Sequence, residues 1–157
     1  MPLSKIDSDS LNSGVPTRAQ LPAGSVLQVV SATTSAATST TSSTYQSTGI
    51  SASITPTSAT SKIFVVIQTT LAGVSSNWAD LGLFRGATAL YGSVSNTGVY
   101  SLAADGWASA SVIGLDSPAT TSSTTYEAKL RSRNNSTQVR VNPDSMLATV
   151  ILMEIAA

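Results

Sequence analysis

The sequence predicts an all-β fold: an antiparallel β-sandwich or jelly roll of about eight strands, preceded by an extended N-terminal arm. Three observations carry this expectation. From Ser25 onward, apolar and polar residues alternate with period two. Turn signals interrupt the alternation every ~8–15 residues, the spacing of sandwiches and jelly rolls. No stretch holds the 3.6-residue apolar period of a helix.

The arm is residues 1–24. It carries Pro2, Pro16 and Pro22 with Gly14 and Gly24, which break any element longer than a few residues. Its apolar residues Leu3, Ile6, Leu11, Val15 and Leu21 are isolated, spaced as anchors for separate pockets on a partner. The β domain is residues 25–157. Ser25–Thr33 opens it as a strand. Ser35–Ser43 is polar and low in complexity, either a long loop or an exposed edge strand. Tyr45–Thr55 alternates Ile50, Ala52 and Ile54 with Ser51 and Ser53, and Pro56 ends it. Lys62–Leu71 is a β-branched run of the kind found in a central strand buried on both faces.

Trp78–Arg85 places Ala79, Leu81 and Leu83 on one face, and Gly86 turns the chain. Thr88–Ser95 and Val99–Ala104 are weaker strands around a turn at Asn96-Thr97-Gly98. Asp105-Gly106 is a turn dipeptide. Trp107–Leu115 follows, with Ala108, Ala110 and Val112 opposite Trp107, Ser109 and Ser111. Asp116-Ser117-Pro118 stops it. Thr124–Arg133 alternates most clearly: Tyr126, Ala128 and Leu130 against Glu127, Lys129, Arg131 and Arg133. Asn134-Asn135-Ser136 turns the chain into Gln138–Asn142. The last strand, Leu147–Ile155, is too apolar for an edge. Ile63, Val65, Ile67, Leu130, Ile151 and Met153 are expected in or near the core.

Composition narrows the function. The 157 residues carry eight Lys+Arg and eight Asp+Glu, and only 10% are charged. Ser and Thr make up roughly a third of the chain. There is no Cys and no His. This excludes disulfides, zinc sites built on thiolate or imidazole, and every mechanism that needs a histidine base. Zero net charge argues against binding nucleic acid or an anionic membrane by bulk charge. The runs Ile63–Ile67 and Val150–Met153 are far below the roughly 18 residues that span a bilayer. The opening residues show no apolar core of a signal peptide. A soluble chain is expected, with no cofactor and no metal.

Few residues are candidates for a site. Lys129, Arg131, Arg133 and Arg140 hold half of the positive charges. They form either a patch for an anionic group or acidic partner surface, or a solvated strand face followed by its hairpin partner. Asp105 and Asp116 sit in turn contexts, where a carboxylate bonds the local backbone. With Glu127 they show no spacing of a catalytic pair or a calcium loop. Trp78 and Trp107 either stack on a sugar or pack at a rim. Hydroxyl-rich strands with little charge suit a protein repeated on an assembly, where sheet edges are hidden by oligomerisation.

Several segments together resemble a known group. These are GSVLQVV, the Ser/Thr tract, TGISASITPTSATSKIFVVI, LFRG, GLDSPATTSSTTYEAKLRS and the terminal ATVILMEIAA, with the leader MPLSKIDSDSLNSGVP. The chain resembles small Ser/Thr-rich β-sandwich virion proteins of tailed phages of marine and freshwater bacteria. The most specific pieces are Ile54-Thr55-Pro56 through Ile63, Leu115–Pro118 and Leu152–Ala157. The resemblance implies a virion structural protein, usually trimeric, with no catalytic residues. The expected role is a capsid decoration (cement) protein, attached through its arm to the major capsid protein or another virion protein. A tail or head fibre component that binds a host glycan is the alternative. The expected partners are therefore a second and third copy and a virion protein, with Leu3, Ile6, Leu11, Val15, Leu21, Arg131, Arg133 and Arg140 as the contact residues.

Overall fold

The structure, a computed structural model, describes residues 21–73, 78–91, 106–133 and 137–157, and the backbone of 98–100. Asn96 and Thr97 of one predicted turn, Asp105 of another, the turn at 134–136 and most of the arm lie outside the described residues, while Gly98 begins a strand.

Eleven strands form two antiparallel sheets. They are β1 (Val26–Thr34), β2 (Thr38–Thr40), β3 (Gln46–Ile54), β4 (Lys62–Gly73), β5 (Trp78–Arg85) and β6 (Thr88–Tyr91), then β7 (Gly98–Tyr100), β8 (Trp107–Asp116), β9 (Thr124–Ser132), β10 (Val139–Val141) and β11 (Ala148–Ile155). The first sheet runs β1-β11-β4-β10-β2 with β8 on β4; the second runs β3-β9-β5-β6 with β7 on β5.

Three of these strand paths are interrupted rather than separate. β1 and β2 pair successively with β11 and β10, and β11 and β10 pair successively with β4. β6 and β7 likewise share β5. Merging each interrupted pair leaves eight paths, four in each sheet. The first path pairs with the last, the second with the seventh, the third with the sixth and the fourth with the fifth. This nesting is one long antiparallel hairpin rolled into a jelly roll, so the expected count of about eight is met.

The core lies between the sheets. Ile63, Val65 and Ile67 of β4 meet Ile50 and Ile54 of β3, Leu81 and Leu83 of β5, and Tyr126 and Leu130 of β9, all at most 2% exposed. Gly49, at φ +74, supplies the left-handed residue of a bulge between Ser47 and Ile50, where β3 shifts register against β9. Gly114 of β8 lies under the Tyr91 ring, where an added Cβ would sit 2.4 Å from a ring carbon. The sheets thus close together at the β6–β8 margin.

Asn142 holds the break in the first sheet. It is fully buried with φ 50. Its Oδ1 accepts from Thr69 Oγ1 at 2.7 Å, and its Nδ2 donates to the Thr34 and Ala36 carbonyls. Its backbone N–H donates to the Thr70 carbonyl. One side chain therefore satisfies polar groups on the two paths that flank its own, where ladder bonds stop. A single 3-10 turn, Pro143–Ser145, follows with Asp144 and Ser145 also at positive φ.

Three expectations need correction. Ile151 and Met153 are not in the core; they are half-buried on the outer face, while Val150, Leu152 and Glu154 point inward. Both parities of Leu147–Ile155 are largely apolar, each with one polar residue, Thr149 or Glu154, so alternation alone does not choose the inner face. The Glu154 carboxylate is satisfied inside. β9 and β10 are not a hairpin, because they belong to different sheets, as a jelly roll requires. Asp116 does not bond its local backbone. It accepts from Arg85 Nη1 and Tyr126 Oη, both at 2.7 Å, and so ties β8 to the opposite sheet.

Asn142→Ala is expected to lower unfolding free energy by about 2–4 kcal/mol, from buried hydrogen bonds lost and a Cβ at positive φ without them. Asn142→Gly should recover only the backbone part, about 1 kcal/mol or less. Urea denaturation of both variants checks this.

Candidate interaction surfaces

The two sheets turn very different outer faces to solvent. On the second sheet the long side chains of β9 lie across β5. Lys129 Nζ stands 4.7 Å from the centre of the Phe84 ring, the Arg131 guanidinium 4.7 Å from Tyr45, and that of Arg133 4.6 Å from Trp78. Tyr45 and Phe84 meet edge to face at 5.1 Å. Cations over aromatic faces are attracted by the ring quadrupole. The alternation of Thr124–Ser132 aims these cations outward, as expected. β5 is nonetheless buried on both sides, because this layer covers it.

Asp80 anchors the layer. It is 2% exposed, and its carboxylate receives Arg131 Nη2 at 2.9 Å and Arg133 Nη2 at 2.6 Å. Burying a carboxylate is costly unless such partners satisfy its oxygens. Arg131 and Arg133 therefore commit donors to an internal carboxylate and faces to internal rings. Lys129 also lies 4.0 Å from Glu127, which accepts from Ser47. Arg140 is not part of this cluster. It sits on β10 of the other sheet, opposite Ser39 and Ala72. The cluster predicted from four cations is a ladder of three.

The first sheet has no such cover among the described residues. Register sets its outward rows. Val29, Met153, Phe64 and Leu115 form one row across β1, β11, β4 and β8. Ser31, Ile151, Val66 and Ile113 form the next. Thr33, Thr149, Gln68 and Ser111 follow, and the face becomes polar. Val29 is 57% exposed, Ile113 55% and Leu115 47%. The expectation that Lys62–Leu71 is buried on both faces thus holds for the inner face alone: Phe64 and Val66 are half-buried. Sequence reasoning found this strand but missed the face. The signal was present in the matched apolar parities of β4 and β11.

A cleft of about 430 Å³ opens at the end of the domain where β1 starts, lined by Leu21, Leu27, Thr57, Ser61 and Ala156. Leu21 is thus the one arm anchor within the described residues; Leu3, Ile6, Leu11 and Val15 lie outside them. Gly24 N–H donates to the Ala156 carbonyl, so the β domain holds the chain from one residue before the predicted boundary. Beside the cleft, buried Glu154 accepts from Thr57 N and Oγ1, both at 2.7 Å, and from Gln28 Nε2 at 2.6 Å. Burial alone pushes its carboxyl up, but these donors outweigh it and hold the group below the usual 4.5. The bonds join Thr55-Pro56-Thr57 to the terminal strand.

No protein-family model and no curated protein matches the chain.

A carboxyl held low in the folded state stabilises above its unfolded value, and that stability is lost as pH falls through the folded one. The chain should therefore lose stability as pH drops below about 4.5, and Glu154→Gln should flatten this acid limb while lowering stability at neutral pH. Thermal melts of both proteins from pH 7 downward check it.

Proposed function

We propose that the protein is a structural subunit of a phage virion, a capsid decoration (cement) protein that stabilises the head shell. It acts as a homotrimer on the outer surface of the capsid, and its N-terminal arm engages the major capsid protein or another virion protein. The observation that carries this reading is the outer face of the first sheet. A chain with 10% charged residues leaves Val29, Ile113 and Leu115 about half exposed in two adjoining rows. Contiguous exposed apolar surface of this kind marks a contact with another molecule.

Two further features support it. The segments that resemble phage virion proteins, Ile54-Thr55-Pro56 and Leu152–Ala157, are joined in the fold by Thr57 and Glu154. Jelly rolls also recur in viral capsid domains, an analogy of fold and not of site. Of the described carboxylates, Asp80, Asp116, Glu127 and Glu154 bond groups of the chain itself, and Asp144 stands exposed and apart from them on the 3-10 turn; the reading is a binding module without catalysis. A fibre component that binds a host glycan is the second reading. Trp107 favours it, an aromatic face 46% exposed at the first sheet's margin.

Copy number separates the readings. Quantitative mass spectrometry of purified virions should find this chain at a copy number comparable with that of the major shell protein. A few copies per particle would favour the fibre, and none would end the virion reading.

A further inference from the structure

We propose that the outer face of β1, β11, β4 and β8 is the contact between copies of this chain. The inference deepens the proposed structural role and rests on its homotrimer element.

The face has the anatomy of a protein interface. Its centre is apolar, with Phe64, Val66, Ile151 and Met153 half-buried between the more exposed Val29, Ile113 and Leu115. Its continuation is a rim of hydroxyls and one amide: Ser31, Thr33, Thr149, Gln68 and Ser111. Interfaces share this arrangement of apolar centre, polar rim and depleted charge. β1, β11, β4 and β8 lie side by side over the seven positions of β4 from Lys62 to Gln68, roughly 450 Å² at ~4.8 Å between strands and ~3.4 Å per residue. That is about half of the roughly 800 Å² that one partner contributes to a standard interface, the size of patch that marks an interaction site.

The second copy is favoured over other occupants by charge and shape. The three rows carry no charge: Lys62 lies in the row beyond the apolar end, with Val26 and Ile155, and Arg140 beyond the polar end, on β10 opposite Ala72. A strongly acidic or basic partner finds little to complement here, whereas an identical face brings no like charges together at its centre. The face is also divided. The β1–β11 half carries Val29, Ser31, Ile151 and Met153, and the β4–β8 half carries Phe64, Val66, Ile113 and Leu115. A slimmer half set against a bulkier half of the next copy is a head-to-tail contact, which closes as a trimeric ring when each copy is turned by a third of a circle from the last. The same contact covers the free edges of β1 and β8, which border the face on either side. Edges left open invite uncontrolled pairing.

The second sheet makes the contrast. Its outer aromatics are roofed by Lys129, Arg131 and Arg133 of the same chain. Nothing described in the chain does this for Phe64 and Val66.

Light scattering of the full chain at micromolar concentration tests this, with the double variant Val29→Glu and Ile113→Glu beside the control Thr125→Glu on the second sheet. The wild type and the control should show three times the chain mass of 16.0 kDa, and the double variant a monomer with unchanged circular dichroism. A monomeric wild type, or a double variant that stays assembled, overturns the proposal. Should the double variant misfold, a cysteine placed at one site decides, since the natural chain has none. Maleimide labelling of Ser31→Cys should slow about tenfold when about nine-tenths of the chain is assembled, because only the free fraction reacts. Labelling of Thr125→Cys should not slow. Equal rates at all concentrations, or slow labelling of Ser31→Cys in a monomer, overturn it; the latter places the chain's own first 20 residues on the face. A monomer still found at shell-like copy number would sink this inference and leave the virion role standing. A trimer missing from virions would do the reverse.

Discussion

In a two-layer sandwich the opposite sheet covers only one face of each strand. β4 is apolar on both. Ile63, Val65 and Ile67 fill the interior, and Phe64 and Val66 point the other way. β4 is also the strand that every path of the first sheet is built around, pairing with β8 along one side and with β11 and β10 along the other. Moving its register by one residue would exchange the two sets but not remove either. The surplus apolar face is thus fixed by the sequence of the central strand. Each fully buried aliphatic side chain contributes about 1.5–3 kcal/mol, and the outer set withholds much of that until something covers it.

The scarce charges are spent on holding separated segments together. Asp80 fixes two arginines across β5, Asp116 ties β8 to β5 and β9, and Glu154 binds the β3–β4 connection to the terminal strand. Asn142 does the same work without charge at the break in the first sheet. With no disulfide to staple it, the fold relies on these ties at the ends and margins of its sheets, where ladder bonds are fewest. Among the described residues this leaves only Lys62, Arg140 and Asp144 outside these ties and the Lys129–Glu127 pair. This explains how hydroxyl-rich strands, an internal ion-pair network and an uncovered apolar face come to coexist in one small domain.

Much of the architecture was legible in the sequence because period two survives in most strands. Thr124–Ser132 shows it best: Tyr126, Ala128 and Leu130 are buried and the residues between them are not. The turn residues placed most boundaries within two residues. The failures share a cause. Where both parities of a strand are mostly apolar, as in Ala148–Ile155, alternation does not choose the inner face, and here Glu154 goes inward because it finds donors in Thr57 and Gln28 that are distant in sequence. Arg140 was grouped with Lys129, Arg131 and Arg133 because adjacent strands often pair, whereas rolling the hairpin sends β9 and β10 to opposite layers. The buried Asp80 was invisible between Ala79 and Leu81, since nothing local shows that two arginines some fifty residues away reach it.

The central claim is that the outer face of the first sheet is covered by another copy of the chain. Two methionines report on it within one molecule. Met153 lies in the apolar row of that face, and Met146 stands 39% exposed on the loop after the 3-10 turn. Peroxide oxidation of the full chain, followed residue by residue by mass spectrometry, compares them across a dilution series. The account predicts that Met146 oxidises at one rate throughout, while Met153 is protected in concentrated protein and becomes reactive on dilution. A Met153 that oxidises as readily in concentrated protein as in dilute would contradict it.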